Sequence, residues 1–406
     1  MPRLGPLLGP GPGRRRTARA AHVARTAGYI GDPLLRLRFL RAMAPRSWLV
    51  RWLVQWLFQG RSRYWVLWGS LLLVLAIPLL VKLAAGKPET PPSAPAVPRR
   101  APVSVTQETV PVWLVETTGD SEVYSNGLRI DTRFTIPNRP RLYPAFPRAG
   151  DSAQNRTWRS TPAGIVYHIT ESRQAPFEEQ DTPKLKRLGE SLLEYVRRER
   201  AYHYVIDRFG RVYRVVAEPD AANHAGFSVW ADDEWFYVNL NESFFGVSFE
   251  AQSYPGQVED FVSPAQIRAA AMLTEMLRSR YRIPAGNCVT HAQVSVNPSN
   301  MLVGYHTDWA AGFPFEALSL PDNYGRALPS LWAFGFGFEP GWLASSGKSM
   351  SAGVELAELD VARQAAAMGM RPAAYRKALR ERYREWLAES RAIPPTAQPG
   401  SGSAGR

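Results

Sequence analysis

The sequence predicts an α/β fold: a mixed central β-sheet flanked by helices, preceded by one transmembrane helix and followed by a small helical extension. Three observations carry this. From about Thr161, apolar runs of strand length alternate with segments of helical period, the pattern of a sheet with helices packed on its faces. Tyr64–Val81 is a run of 18 residues without a charge. At about 1.5 Å per residue such a helix covers about 27 Å, close to a bilayer core. Past Pro321 the strand signal fades and two helical segments follow around Gly369.

The N-terminal segment 1–63 is basic. It holds 13 Arg and a single acid, Asp32, of a whole-chain net charge of +13. The remaining residues hold 36 bases and 35 acids, so composition gives them no basic face and excludes a nucleic-acid partner. Segment 64–85 is the span, with Tyr64, Trp65 and Trp68 at one end, where aromatic rings favour the interface. The positive-inside rule puts 1–63 in the cytoplasm and the chain after Val81 outside it. Leu83-Ala84-Ala85 is a poor cleavage site, so the run reads as an uncleaved signal anchor. Ser47–Gln59 spaces Arg51, Gln55 and Gln59 four apart beside Trp48, Trp52 and Trp56, the pattern of an interfacial amphipathic helix. Segment 86–112 is a linker, with seven prolines in Lys87–Val112.

Residues 113–320 form the main domain. Asn126-Gly127 lies between SEVYS and LRIDTRF and suits a type I′ hairpin turn. GIVYHIT is a strand. Pro183–Ala201 is an amphipathic helix, with Leu185, Leu188, Leu192, Leu193 and Val196 on one side. YHYVID and RVYRVV flank Arg208-Phe209-Gly210 as a second hairpin, and SFFGVSFEA is a strand. Ser263–Tyr281 is a strong helix with Ser263 as N-cap and Pro264 in the first turn. CVTH is a short strand after it. Residues 321–393 form the helical extension: Gly353–Met368 and Pro372–Ser390, the second with Tyr375, Leu379, Tyr383 and Trp386/Leu387 as an apolar stripe that packs back onto the domain. The tail 394–406 is low in complexity.

The chain has one cysteine, Cys288, so disulfides and thiolate-rich metal sites within it are excluded, and this buried thiol reads as inert. Of six histidines, His168 and His291 end strands and His306 lies two residues before Asp308. A catalytic zinc needs three nitrogen or oxygen ligands and an open position. His168, His291 and Asp308 can supply that set; taken singly, each is as readily a satisfied structural residue. His203 reads as a buried structural histidine.

The order of motifs is a strand ending in His168, a helix, the YHYVID hairpin, Asn223-His224-Ala225-Gly226, Gly246-Val247-Ser248-Phe249-Glu250, a long helix, Val289-Thr290-His291 and His306-Thr307-Asp308. It resembles the zinc-dependent N-acetylmuramoyl-L-alanine amidases of the type 2 family, over roughly Thr161–Phe315. That family shares its fold with a class of phage lysozyme and with the peptidoglycan recognition proteins. The resemblance implies Zn2+ held by His168, His291 and Asp308, and hydrolysis of the amide between N-acetylmuramic acid and L-alanine in peptidoglycan. It implies an oxyanion donor at His306, where many members carry lysine. His224 and Asn223 match the family's W-H-A-G and become substrate-binding candidates. Ser248 stands at the family's usual glutamate, so Glu250, on the same strand face about 7 Å further on, becomes the acid/base candidate; the alternative is a structural carboxylate. Tyr167 is a second polar neighbour that strand alternation points away from His168. Thr290 replaces a glycine and Trp309 a proline of the family pattern. With the anchor, the resemblance implies a single-pass protein of the bacterial cytoplasmic (inner) membrane with its domain on the periplasmic or extracytoplasmic side. Two other readings stand beside the enzyme: a recognition module of the same fold that binds peptidoglycan without cleaving it, and a membrane scaffold.

Overall fold

The computed structural model describes residues 110–148, 155–252, 262–346 and 349–391. The expected basic segment 1–63, anchor 64–85, most of the linker 86–112 and the tail 394–406 lie outside the described residues. Among the described residues, no helix is long and apolar enough to cross a membrane.

The chain enters through β1 (Leu114–Thr118), β2 (Ser121–Tyr124) and β3 (Arg129–Asp131), an antiparallel meander. The Asn126-Gly127 hairpin forms, but not as a type I′ turn. Gly127 has φ +84° and Asn126 is absent from the positive-φ residues, whereas type I′ needs both. Asn126 instead sends its amide to Met272 O at 2.9 Å, tying the hairpin to a distant helix.

Strands β4 (Tyr143–Pro147) and β5 (Thr157–Arg159) precede β6 (Gly164–Ile169) and helix α1 (Thr182–Glu199). Then come β7 (Tyr204–Ile206), β8 (Val212–Arg214), β9 (Val229–Ala231), β10 (Trp235–Val238) and β11 (Phe244–Phe249). Helix α2 (Pro264–Tyr281), β12 (Cys288–Thr290), the short helix α3 (His291–Val294), β13 (Val296–Asn297) and β14 (Leu302–Val303) follow. Helices α4 (Ser351–Ala367) and α5 (Pro372–Ser390) close the described chain.

The central sheet has the order β1-β2-β3-β8-β7-β11-β6-β12, so it is mixed, as the sequence predicts. Strands β7, β11 and β6 and the edge strand β12 run parallel. Every residue of β6 and β11 is buried, as expected of parallel strands covered on both faces. Tyr167 points to α2, where its hydroxyl meets Thr274 Oγ1 at 2.7 Å. Alternation therefore turns His168 to the other face. Leu273, Met276 and Leu277 of α2 pack with Ile165, Tyr167, Val247 and Phe249 in one core. Burying each such side chain is worth about 1.5–3 kcal/mol.

The opposite face is shared. Leu193 and Val196 of α1 pack on Val205. A second, antiparallel sheet, β5-β4-β10-β9, packs Tyr143, Trp230 and Tyr237 on Val166, Phe244 and Val289. Helices α4 and α5 join the main core rather than standing apart: Trp386 is fully buried and stacks on Phe146 of β4, with ring centroids 4.6 Å apart.

Candidate metal centre

β11 pairs with β6 so that Ser248 lies opposite His168, and β12 pairs with β6 so that Thr290 lies opposite Tyr167. The next residue after Thr290 is His291. Two parallel strands thus deliver two imidazoles to one edge, the carboxyl ends where open α/β sheets place their sites. Thr290 has a purpose a glycine could not serve. Thr-x-x-Gln is a capping box: beside the backbone bond from Thr290 N to Gln293 Oε1 at 2.9 Å, the Thr290 hydroxyl donates to the same oxygen at 3.3 Å, starting α3 at His291 itself.

Asp308 arrives on the loop after β14. Its carbonyl accepts from Ala292 N at 3.2 Å and its Oδ2 from Ile169 N at 3.4 Å, so the loop is tied to both histidine-bearing segments. Trp309, beside it, has φ +57°, a value closed to proline. The replacement of the family's proline is therefore a backbone difference, and the indole compensates by donating from Nε1 to His168 O at 3.1 Å.

The three side chains meet. His168 Nδ1 lies 3.3 Å from Asp308 Oδ2, and His291 Nδ1 lies 2.8 Å from Asp308 Oδ1. One ligand atom from each falls within 4.8 Å of the others. Tetrahedral zinc with nitrogen and oxygen donors at about 2.0–2.2 Å sets neighbouring donors roughly 3.3 Å apart. The donor set, two imidazoles and a carboxylate without a thiolate, suits zinc, and the His168–Asp308 separation matches that spacing.

Electrostatics agree. Burial, then the neighbouring His291, pushes the His168 pKa down to about 4, so the ring is neutral at pH 7, the form a metal requires. Burial alone would raise Asp308, but His291 beside it holds its carboxyl well below the usual carboxylate range. His306 stacks on His291 with centroids 4.5 Å apart and rings 19° from parallel, on the exposed side of the group. Burial and His291 lower its pKa, so it too is a neutral donor.

Other sequence candidates fall elsewhere. Asn223 does not present a free amide: its Nδ2 donates to Glu199 O at 3.0 Å, closing the end of α1, and its Oδ1 accepts from Arg139 at 3.0 Å. His224 is not at a groove edge. It stands behind His168, with Nδ1 at 3.1 Å from His168 Nε2. Glu250 is not joined to the group: its carboxylate accepts from Arg208 N at 3.2 Å, and a Cβ on Gly189 of α1 would lie 3.4 Å from it. His203 is fully buried, accepting from Gly246 N at 3.0 Å, the structural role expected of it.

Tyr202 escaped the sequence reading. Its ring centroid is 5.1 Å from that of His168, and Asp308 acts on it electrostatically. It holds φ +56°, a strained value for a tyrosine. Burial raises its pKa, so the phenol stays protonated. Its only signal in the sequence is its place before His203 in the YHY motif.

Residues 158–309, well under half of the chain, match the family model described as N-acetylmuramoyl-L-alanine amidase. Over that stretch the chain resembles the type 2 amidases, as its motifs indicate, and His168, His291 and Asp308 all lie within the match. No curated protein matches the chain. Among solved structures, AmpDh3 from Pseudomonas aeruginosa is 22% identical, with 39% of this chain and 58% of that one covered and a TM-score of 0.30. AmiD from E. coli is 20% identical over 56% of this chain and 89% of its own, with a TM-score of 0.33. Drosophila PGRP-LB is 14% identical over 46% and 93%, with a TM-score of 0.28. This chain thus spans 58% of the AmpDh3 structure's length, and likenesses at such scores carry no argument about activity.

Proposed function

We propose that this protein is a zinc-dependent N-acetylmuramoyl-L-alanine amidase acting on peptidoglycan. In this proposal residues 64–85 anchor it in the bacterial cytoplasmic (inner) membrane, with the domain on the periplasmic or extracytoplasmic side. The observation that carries the reading is the convergence of His168, His291 and Asp308, from two strand ends and a loop, within 4.8 Å. The family match over residues 158–309 supports the substrate class.

His168, His291 and Asp308 would hold the metal. Zinc supplies Lewis acidity toward water and the scissile carbonyl. His306, neutral and exposed beside His291, offers an N–H to the oxyanion that develops on the carbonyl. One such donor is typically worth about 3 kcal/mol. Tyr202, protonated and against His168, offers a second donor on the same group. Gln293 and Trp309 keep the ligands where they are, through the α3 cap and the His168 carbonyl.

The test uses the full-length chain, as wild type and His291→Ala. Expected are about one zinc per wild-type chain and release of free stem peptide from peptidoglycan, both lost in the variant. A wild type that binds no zinc overturns the reading. The position of Glu250, bonded to Arg208, favours a second reading, a peptidoglycan-binding module. Zinc uptake and peptidoglycan binding without release of stem peptide would decide for it.

A further inference from the structure

We propose that His224 is a positioning residue that fixes the tautomer of His168, so that the Nδ1 lone pair of His168 faces the metal. The inference rests on the metal-centre reading above. The chain of contacts starts at a backbone carbonyl. Phe244 O can only accept, and His224 Nε2 lies 3.2 Å from it, so Nε2 carries the proton of that ring. His224 Nδ1 is then a bare lone pair. It lies 3.1 Å from His168 Nε2, which must donate to it. His168 therefore carries its proton on Nε2 and none on Nδ1. That Nδ1 faces Asp308 Oδ2 across 3.3 Å. A lone pair and a carboxylate oxygen at that distance repel, and a cation between them turns the repulsion into attraction.

The place of His224 is built for this. Asn241 Oδ1 accepts from His224 N at 2.8 Å and from Ala225 N at 2.7 Å, fixing the backbone under the ring. Gly246 leaves the space the ring fills, since a Cβ there would lie 2.5 Å from His224 Cγ. Phe244 and Gly246 both belong to β11, the strand in register with β6. One strand thus supplies the carbonyl that sets the proton, the gap that admits the ring, and the register of the ligand. His224 touches a ligand and not the reacting atoms.

The experiment compares the full-length wild type with His224→Leu and His224→Asn. Zinc affinity is measured by competition with a chromogenic chelator, and unfolding is followed in excess chelator. Loss of an outer partner of a metal-bound histidine typically weakens metal binding about 10–100-fold. His224→Leu is expected to weaken zinc by that factor. His224→Asn, whose side-chain oxygen accepts close to where Nδ1 stood, is expected to recover most of it. Both variants should unfold alike without metal. In the 15N-histidine-labelled chain, His168 should show the Nε2–H tautomer in wild type and the Asn variant, and a tautomer mixture in the Leu variant. Wild-type zinc affinity in His224→Leu overturns the proposal, as does equal weakening by Leu and Asn, which would mean packing alone. A wild type without zinc removes the metal-centre reading and the proposal with it.

Discussion

Glu250 is 3% exposed, and its carboxylate meets a backbone N–H of Arg208 rather than a full cationic partner. Burial pushes its pKa up to about 7, against the smaller lowering effect of that hydrogen bond. The folded state therefore binds a proton that the unfolded chain, near 4.5, has released. The stabilisation is complete below pH 4.5 and is lost as pH rises through about 7. Fully expressed, the loss is on the order of 3 kcal/mol. Glu250→Gln keeps the neutral shape, so the variant is expected to gain on wild type between pH 5 and pH 8 in urea midpoints. Taking the difference cancels the neutral histidines, whose lowered pKa values act in the opposite direction at low pH. The same substitution is expected to leave stem-peptide release within about threefold, because one structural hydrogen bond to an amide is all that it alters. Loss of release with zinc retained would restore Glu250 to the acid/base role that its spacing from Ser248 suggests. The sequence could place Glu250 on the same face as Ser248, just past the end of β11, but not show that Arg208 and Gly189 claim it. Nor could it show Tyr202, whose closeness to His168 depends on a positive φ that no local pattern encodes.

At the scale of elements, what was legible is what local chemistry dictates. β6, β11 and β12 are short apolar runs because both faces are covered, and α2 announces itself by Ser263 and Pro264. The cap is as read: Ser263 Oγ accepts from Gln266 N at 3.1 Å and Ser263 N donates to Gln266 Oε1 at 2.9 Å. Ser263→Ala is expected to cost about 1 kcal/mol of unfolding free energy, read from the denaturation midpoint. The second sheet was not legible. Its strands run three to five residues without alternation, and β4 finds β10 through Phe146 opposite Phe236, partners far apart in sequence. Its reason for existing lies in α5. Trp386 lies flat on Phe146 at 1° and contacts Phe236 at 5.3 Å, so the stripe read on α5 has a sheet to cover. Trp386→Ala is expected to cost about 3–5 kcal/mol, measured by thermal unfolding. A cost under about 1 kcal/mol would show that α5 is an ornament on a domain already complete.

For the whole molecule, charge and hydropathy divide the chain where the fold does not reach. The excess of Arg stops at Arg63, the uncharged run follows at once, and proline-rich chain separates that run from the first strand. The described residues, all from 110 onward, fall in one compact unit. If largely polyproline II, 26 residues of linker at about 3.1 Å each reach up to about 80 Å. A hydrolase of a wall polymer so tethered would work on substrate away from the bilayer while remaining tied to it. An anchor of this kind predicts that the full chain stays in the membrane pellet after high-salt and carbonate washing, since an uncharged run of 18 residues inserted in a bilayer would hold far more firmly than charge alone. A chain starting at residue 86 is expected in the soluble fraction with zinc binding and stem-peptide release intact, because every candidate ligand and every packed element among the described residues lies beyond that point. Protease added to cells with a permeabilised outer layer should remove the domain and spare residues 1–63. Release of the full chain by high salt alone would instead mean that the 13 Arg, and not the apolar run, hold it to the membrane.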